Sequence, residues 1–296
     1  MKIRYSEIFA SFQGEGVRAG MPSSWIRFFG CNLNCNGFGQ DNIFDESTWE
    51  LPYKTIPLAA VKSMADVPVI TKGCDSGYSW CSRFKHLATT KTVEEVLDEL
   101  EELNYKAFGA SIGHPWESRI SKQPIQLCFT GGEPMLQQKA METIVEEMRS
   151  RYDLHAQEHP FTIETNCTQP IKFTDSSMYF MHASCSPKLR SVSGESNALL
   201  LDRMREYMDY FETGAFKFVV NDTIECWNEL DSLLSNLAHH VSDKYPRWSI
   251  WAMPVGADIE SQDASKIERI VDTALSRGLH IATRNHVYVY GNRNGK

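Results

Sequence analysis

Residues 23–35 read SSWIRFFGCNLNC. The first part is a short apolar and aromatic run of strand length, and Gly30 punctuates its end. Two cysteines follow, Cys31 and Cys35, in the i, i+4 relation that suits a shared metal or iron-sulfur cluster. The same order of events recurs along the chain. IQLCF (125–129) runs into TGGEP, FTI (161–163) into ETN, FMHA (180–183) into SCSPK, and SIWA (249–252) into MPVG. Turn chemistry alone would place Gly and Pro as often at the opposite strand ends, so this bias marks one functional rim. In parallel α/β sheets the chemistry collects at the carboxyl ends of the strands.

Helices fill the gaps. TKTVEEVLDELEEL (90–103) is amphipathic, with Val93, Val96, Leu97 and Leu100 on one face and Thr92 with Glu95 as a capping box. A second helix, opened by Pro134, should bury Leu136, Ala140, Met141, Ile144, Val145 and Met148. Further strands are expected at MYFMHA (178–183), AFKFVV (215–220), WSIWAM (248–253) and GLHIA (278–282), with helices near 197–211, 224–241 and 262–277. This β-α alternation predicts an α/β fold with a parallel sheet, open or curled into a barrel. No repeat or linker divides the chain, so residues 1–296 are expected to form one domain.

The composition, 42% hydrophobic and 23% charged over 296 residues, permits a sizeable core. A net charge of −8 argues against a broad basic surface for nucleic acid. No apolar run approaches the roughly 20 residues of a membrane span. The amino-terminal MKIRYSEIFASF lacks the zones of a signal peptide, so a cytoplasmic location with no membrane partner is expected. In a reducing compartment the eight cysteines are not a disulfide framework. Cys128 and Cys226 sit in apolar surroundings and read as core residues. Cys167 and Cys185 follow expected strands and are placed to line a site. Cys31, Cys35, Cys74 and Cys81 remain as metal ligands. Taken alone, TGGEP (130–134) reads equally as a strand-to-helix turn or a ligand-binding loop.

Together, Cys31, Cys35 and TGGEP resemble the radical S-adenosylmethionine (SAM) enzymes. The chain also carries EIFASFQGEGVRAGMPSSWIRFFGCN (7–32), CDSGYSW (74–80), FTGGEPML (129–136), IETN (163–166), SPK (186–188), FKFVV (216–220), MPVG (253–256) and NHVYVYGN (285–292). In this combination and order it resembles the 7-carboxy-7-deazaguanine synthase family. The resemblance implies a partial (β/α)6 TIM-like barrel and a [4Fe-4S] cluster held by three cysteines, with SAM on the fourth iron. Family members place the third cysteine where this chain has Phe38, but CDSGY reproduces what normally follows that cysteine. Cys74 is therefore assigned as the third ligand, Cys81 is its rival, and residues 36–73 become an insertion. Three thiolates leave one iron open to a small molecule.

The same resemblance implies the remaining roles. Gly131, Gly132 and Glu133 would hold the aminoacyl end of SAM, with Ser184, Cys185, Ser186 and Lys188 and the segment Met253, Pro254, Val255, Gly256 as further SAM-contacting loops. Phe12, Gln13, Gly14, Glu15, Arg27 and Thr130 would grip the substrate, with Glu15 and Arg27 also assigned to catalysis. The fork of Arg27 suits the carboxylate of 6-carboxy-5,6,7,8-tetrahydropterin, against the alternative of an ordinary ion pair. Ser76 would ligate Mg²⁺, or cap a turn. His286 would contact substrate or satisfy a buried network. The implied reaction forms 7-carboxy-7-deazaguanine with loss of ammonia. The implied partners are an electron donor such as flavodoxin or ferredoxin and a second copy in a homodimer. Two other readings stand beside this one: a radical SAM activase acting on a partner protein's glycine, and a structural zinc site closed by Cys31, Cys35, Cys74 and Cys81.

Overall fold

The computed structural model describes residues 1–155, 158–262 and 264–295. Its strands are β1 Lys2–Phe12, β2 Pro22–Phe28, β3 Thr89–Thr92, β4 Ala110–Ser111, β5 His114–Ser118, β6 Gln126–Gly131, β7 Phe161–Thr165, β8 His182–Cys185, β9 Thr213–Val220, β10 Trp248–Pro254 and β11 His280–Ile281. Its helices are α1 Val93–Phe108, α2 Gln138–Tyr152, α3 Arg190–Ser193, α4 Leu201–Tyr210, α5 Ile224–Lys244, α6 Ala264–Leu275 and α7 Asn285–Tyr290. One nine-stranded sheet runs β11-β10-β9-β8-β7-β6-β2-β1-β3, and β4 pairs with β5 in a separate hairpin. From β2 to β11 every pairing is parallel. β1 is antiparallel to β2, and β3 to β1. This is the expected α/β architecture, with two antiparallel strands added at one edge.

The parallel strands are covered on both faces, which is why they read as apolar runs and not as alternation. In β6, residues Gln126 to Thr130 are all buried. Helix α1 buries Val93, Val96, Leu97 and Leu100, begins with the Thr92–Glu95 capping box, and stops at Gly109 with φ 58°. No helix among the described residues is long and apolar enough to cross a membrane.

Three expectations need correction. Leu136 is 47% exposed, because residues Pro134–Gln137 form a 3-10 turn whose phase differs from the α-helix that follows. MYFMHA is only half strand: Ser176–Phe180 is a 3-10 helix and β8 begins at His182. β1 was not foreseen as a strand, because a bulge between Tyr5 and Glu7 breaks its alternation.

Residues 36–73 are ordered by four short 3-10 turns. Tyr53, Ile56, Val61, Val67 and Ile70 bury themselves with Tyr78 and Phe84 in an apolar cluster separate from the main core. The excursion leaves and returns at one place, where the Gly73 N–H donates to the Phe38 carbonyl at 2.7 Å.

Replacing fully buried Phe129 by alanine should cost about 3–5 kcal/mol in urea unfolding, whereas Leu136→Ala should stay within about 0.5 kcal/mol. A large loss at Leu136 would show that its side chain is packed after all.

Candidate active site

The loops after β2, β6 and β7 are built against one another. The Gly132 N–H donates to the Phe28 carbonyl at 3.3 Å, and the Glu133 N–H to the Gly30 carbonyl at 2.8 Å. Only glycine fits at two of these positions. A Cβ on Gly131, whose φ is +146°, would lie 2.4 Å from the Phe28 oxygen, and one on Gly132 would lie 2.2 Å from the Gly30 oxygen. The Glu133 carboxylate accepts from Thr165 Oγ1 at 2.6 Å, Asn166 N at 2.7 Å and Met135 N at 2.9 Å. Burial raises its carboxyl above the ordinary range, and these donors partly oppose that.

The rim encloses a cavity of about 680 Å³. Cys31, Cys35 and Cys74 line it together with Ser76, Phe12, Gln13, Gly14, Glu15, Arg27, Thr130, Gly131, Gly132, Ser184, Ser186, Lys188, Met253, Pro254, Val255, Gly256 and His286. Glu133, Cys167, Cys185 and the rival ligand Cys81 do not. Cys185 is fully buried in the core, because successive residues of β8 alternate and Ser184 and Ser186 take the cavity side. Glu133 is buried behind the glycine loop with its oxygens already engaged. Cys167 likewise belongs to the core. Cys81 lies off the cavity, in a shallow hollow with Tyr53, Lys54 and Arg83.

Burial pushes the Cys31 thiol up to about 12, and raises Cys35 and Cys74 as well. Thiols so placed become thiolates only against a strongly cationic partner. Among the described residues no three His, Cys, Asp or Glu side chains are gathered as a single metal ion requires. Cys31, Cys35 and Cys74 nonetheless lie together around Leu33 and Ala198, three soft donors of the type that iron-sulfur clusters take. Lys188, 3.0 Å from Ser186 Oγ and over the Phe38 ring at 5.8 Å, adds positive charge beside Cys31 and Cys35.

A network of buried charges also lines the cavity. Arg27 Nε donates to Glu7 Oε1 at 2.7 Å, with the rings of Phe9 and Tyr78 5.3 and 5.6 Å from its guanidinium. Burial would lower Arg27, but Tyr78 and Glu7 outweigh it and hold the guanidinium firmly charged. Glu15 accepts from Lys217 Nζ at 2.9 Å and Arg284 Nε at 3.2 Å, and Arg284 also reaches Asp75 at 2.7 Å. Glu164 lies 3.6 Å from Lys217, and receives Gln13 Nε2 at 3.2 Å and Thr130 Oγ1 at 3.3 Å. Burial alone would raise the Glu15 carboxyl, but Lys217 and Arg284 drive it well below the usual range. His286 is kept neutral, its value lowered by burial. A Cβ on Gly14 would come within 2.1 Å of His286 Nδ1, so that glycine exists to admit the ring.

Glu7, Asp75, Glu164, Lys217 and Arg284 were not foreseen. Lys217 carries a readable signal, a charge in the middle of the apolar strand AFKFVV. Arg284 does not, since its partners Glu15 and Asp75 come from the far end of the sequence.

No family model matches the chain. It is 24% identical over 298 residues to the 7-carboxy-7-deazaguanine synthase of Pyrobaculum aerophilum, covering 100% of this chain and 98% of that protein. It is 25% identical over 303 residues to the synthase of the same name from Rhodopirellula baltica, covering 98% and 87%. The crystal structure of QueE from Escherichia coli superposes with a TM-score of 0.53 at 19% identity, over 97% of this chain and 95% of that one. The likeness to 7-carboxy-7-deazaguanine synthases therefore runs the length of the chain, and the solved structure shares its fold.

Arg284→Ala should cost roughly 3–5 kcal/mol in urea unfolding, because it strands Glu15 and Asp75 in a buried setting. The Glu15 contribution also has a defined pH dependence. Its folded value is depressed, so the stability it adds is complete above its unfolded value near 4.3 and is lost as pH falls through the folded one. The stability gap between wild type and Glu15→Gln should therefore be constant from about pH 6 to 8 and shrink steadily below about pH 4. A gap that widens on acidification would refute this assignment.

Proposed function

We infer that this chain is a radical SAM enzyme of the 7-carboxy-7-deazaguanine synthase family, a carbon-nitrogen lyase of the deazaguanine pathway that leads to queuosine. We further propose that it converts 6-carboxy-5,6,7,8-tetrahydropterin to 7-carboxy-7-deazaguanine with release of ammonia. The observation that carries this reading is the meeting, in the lining of one cavity, of Cys31, Cys35 and Cys74 with Arg27 and the Glu15–Lys217–Arg284 network.

The three cysteines would hold a [4Fe-4S] cluster, which when bound supplies the electron that cleaves SAM. Gly131 and Gly132 line the cavity and pack their backbone directly on the loop that carries Cys31, so their main chain is the surface offered to a ligand's amino and carboxylate ends. Ser184, Ser186, Lys188 and the segment 253–256 stand along the same side for the rest of SAM. Arg27 has Nε committed to Glu7, and among the described residues its terminal nitrogens have no protein acceptor. Those two groups suit the pterin carboxylate. Gln13, Thr130 and Glu164, already bonded to each other, offer both donors and acceptors for a heterocycle's edge. Glu15 is held as an anion by two cations, so it orients donors on the substrate and does not serve as an acid. Ser76, beside Cys74, is the oxygen available to Mg²⁺, which keeps most of its shell from substrate and water.

A partial (β/α)6 barrel within one domain is supported by Arg284. It stands three residues beyond β11 at one sheet end and yet reaches Glu15, three residues beyond β1 near the other. Seven strand spacings of about 4.8 Å would keep them apart in a flat sheet. A flavodoxin or ferredoxin as reductant, a homodimer and a cytoplasmic setting complete the proposal, the last in keeping with eight free cysteines.

Anaerobic reconstitution with SAM, dithionite, Mg²⁺ and the carboxypterin should yield a product with the mass of 7-carboxy-7-deazaguanine. Recovery of unaltered pterin, with SAM cleaved or not, would reject the proposed substrate. Cys74→Ser should abolish the brown cluster absorption and bound iron, while Cys81→Ser should keep both. The reverse outcome would move the third ligand to Cys81.

A further inference from the structure

We propose that Asn166 is a positioning residue that sets how readily the cluster accepts its electron, by donating an N–H to the sulfur of Cys31; this rests on the iron-sulfur reading above. Asn166 Nδ2 lies 3.9 Å from Cys31 Sγ, a long contact to sulfur. What makes it a built contact is the fixed orientation of the amide. Asn166 Oδ1 accepts two hydrogen bonds, from the Thr168 N–H at 3.0 Å and the Thr168 hydroxyl at 2.6 Å. The opposite flip would turn two donors toward two donors, so the NH₂ group must face Cys31. Its second hydrogen goes to Asn32 Oδ1 at 3.1 Å, and Asn32 Nδ2 donates in turn to Thr168 Oγ1 at 2.9 Å. The residue after the first cysteine and the loop after β7 are thereby closed into a ring of hydrogen bonds.

The Asn166 side chain is itself buried, and its backbone N–H is anchored on Glu133 at 2.7 Å. It therefore has little freedom to turn away. Cys31 also receives the Leu33 N–H at 3.4 Å, so two N–H donors are directed at its sulfur. Cys74 has its own donors in Ser76, 3.4 Å away, and Trp80. A cluster gains negative charge on reduction, and donors to its sulfur ligands stabilise that state, raising the potential.

The test is a potentiometric titration of the anaerobically reconstituted enzyme without SAM, followed by electron paramagnetic resonance of the reduced cluster. Asn166→Ala should keep its iron and sulfide content while the ratio of reduced to oxidised cluster at a fixed poise falls roughly tenfold, about 59 mV for one electron. Thr168→Val, which frees the amide of one anchor and leaves Asn166 in place, should shift the potential the same way by less. An Asn166→Ala enzyme with full cluster and unchanged potential overturns the proposal. If that variant fails to hold a cluster, an unshifted potential in Thr168→Val overturns it instead. A wild-type protein that assembles no cluster overturns the iron-sulfur reading, and this inference with it.

Discussion

The approach of two backbones governs this site. Residues 131 and 132 rest directly on the carbonyls of Phe28 and Gly30, at distances that any side chain would forbid. That contact fixes the loop carrying Cys31 against the loop after β6, and Glu133 then extends the register to β7 through Thr165 and Asn166. The three loops behave as one rigid block. Gathering buried cysteines needs this, because a thiol that burial keeps protonated has no charge of its own to draw it into place.

The charged part of the cavity lining is held by another force. Glu15, Lys217, Arg284, Asp75 and Glu164 are charges removed from water, and each costs several kcal/mol of desolvation before its partners return any of it. Apolar residues of similar volume would hold these elements together at least as well. What the charges add is direction. Glu15 is met by Lys217 and Arg284, and Glu164 by Lys217, Gln13 and Thr130, so the polar atoms facing the cavity have one arrangement. Preorganised groups of this kind bind a polar heterocycle without reorganising at the moment of binding.

Much of the fold was legible because parallel strands buried on both faces announce themselves as apolar runs followed by small residues. The helix at 93–108 was legible because Thr92 and Glu95 write its start into the sequence. β1 was not, since its bulge at Tyr5–Glu7 changes which side chains face inward partway along. The cysteines and glycines of the site were visible as types with special chemistry. Glu7 and Arg284 were ordinary charged residues whose meaning arises only from partners brought together by the fold. Cys185 misled for a simpler reason, since SCSPK names the right loop but alternation decides which of its side chains face the ligand.

Residues 36–73 separate Cys35 from Cys74, yet both cysteines line one cavity. Closing a loop costs only about 0.6 kcal/mol more for each doubling of its length, so length alone is a weak objection. The harder requirement is that the chain return to the point it left. Here the Gly73 N–H finds the Phe38 carbonyl, and the carbonyl of Thr71 presses so closely on Gly39 that a Cβ there would lie at 2.7 Å. Cys74 is thereby delivered beside Phe38, close to Cys31 and Cys35. The separate apolar cluster of Tyr53, Ile56, Val61, Val67 and Ile70 supplies the burial that keeps the excursion ordered, and Tyr78 and Phe84, just past the ligand, are part of it. Burial in that cluster thus holds the return path of the chain, and with it the third sulfur, on the cavity wall.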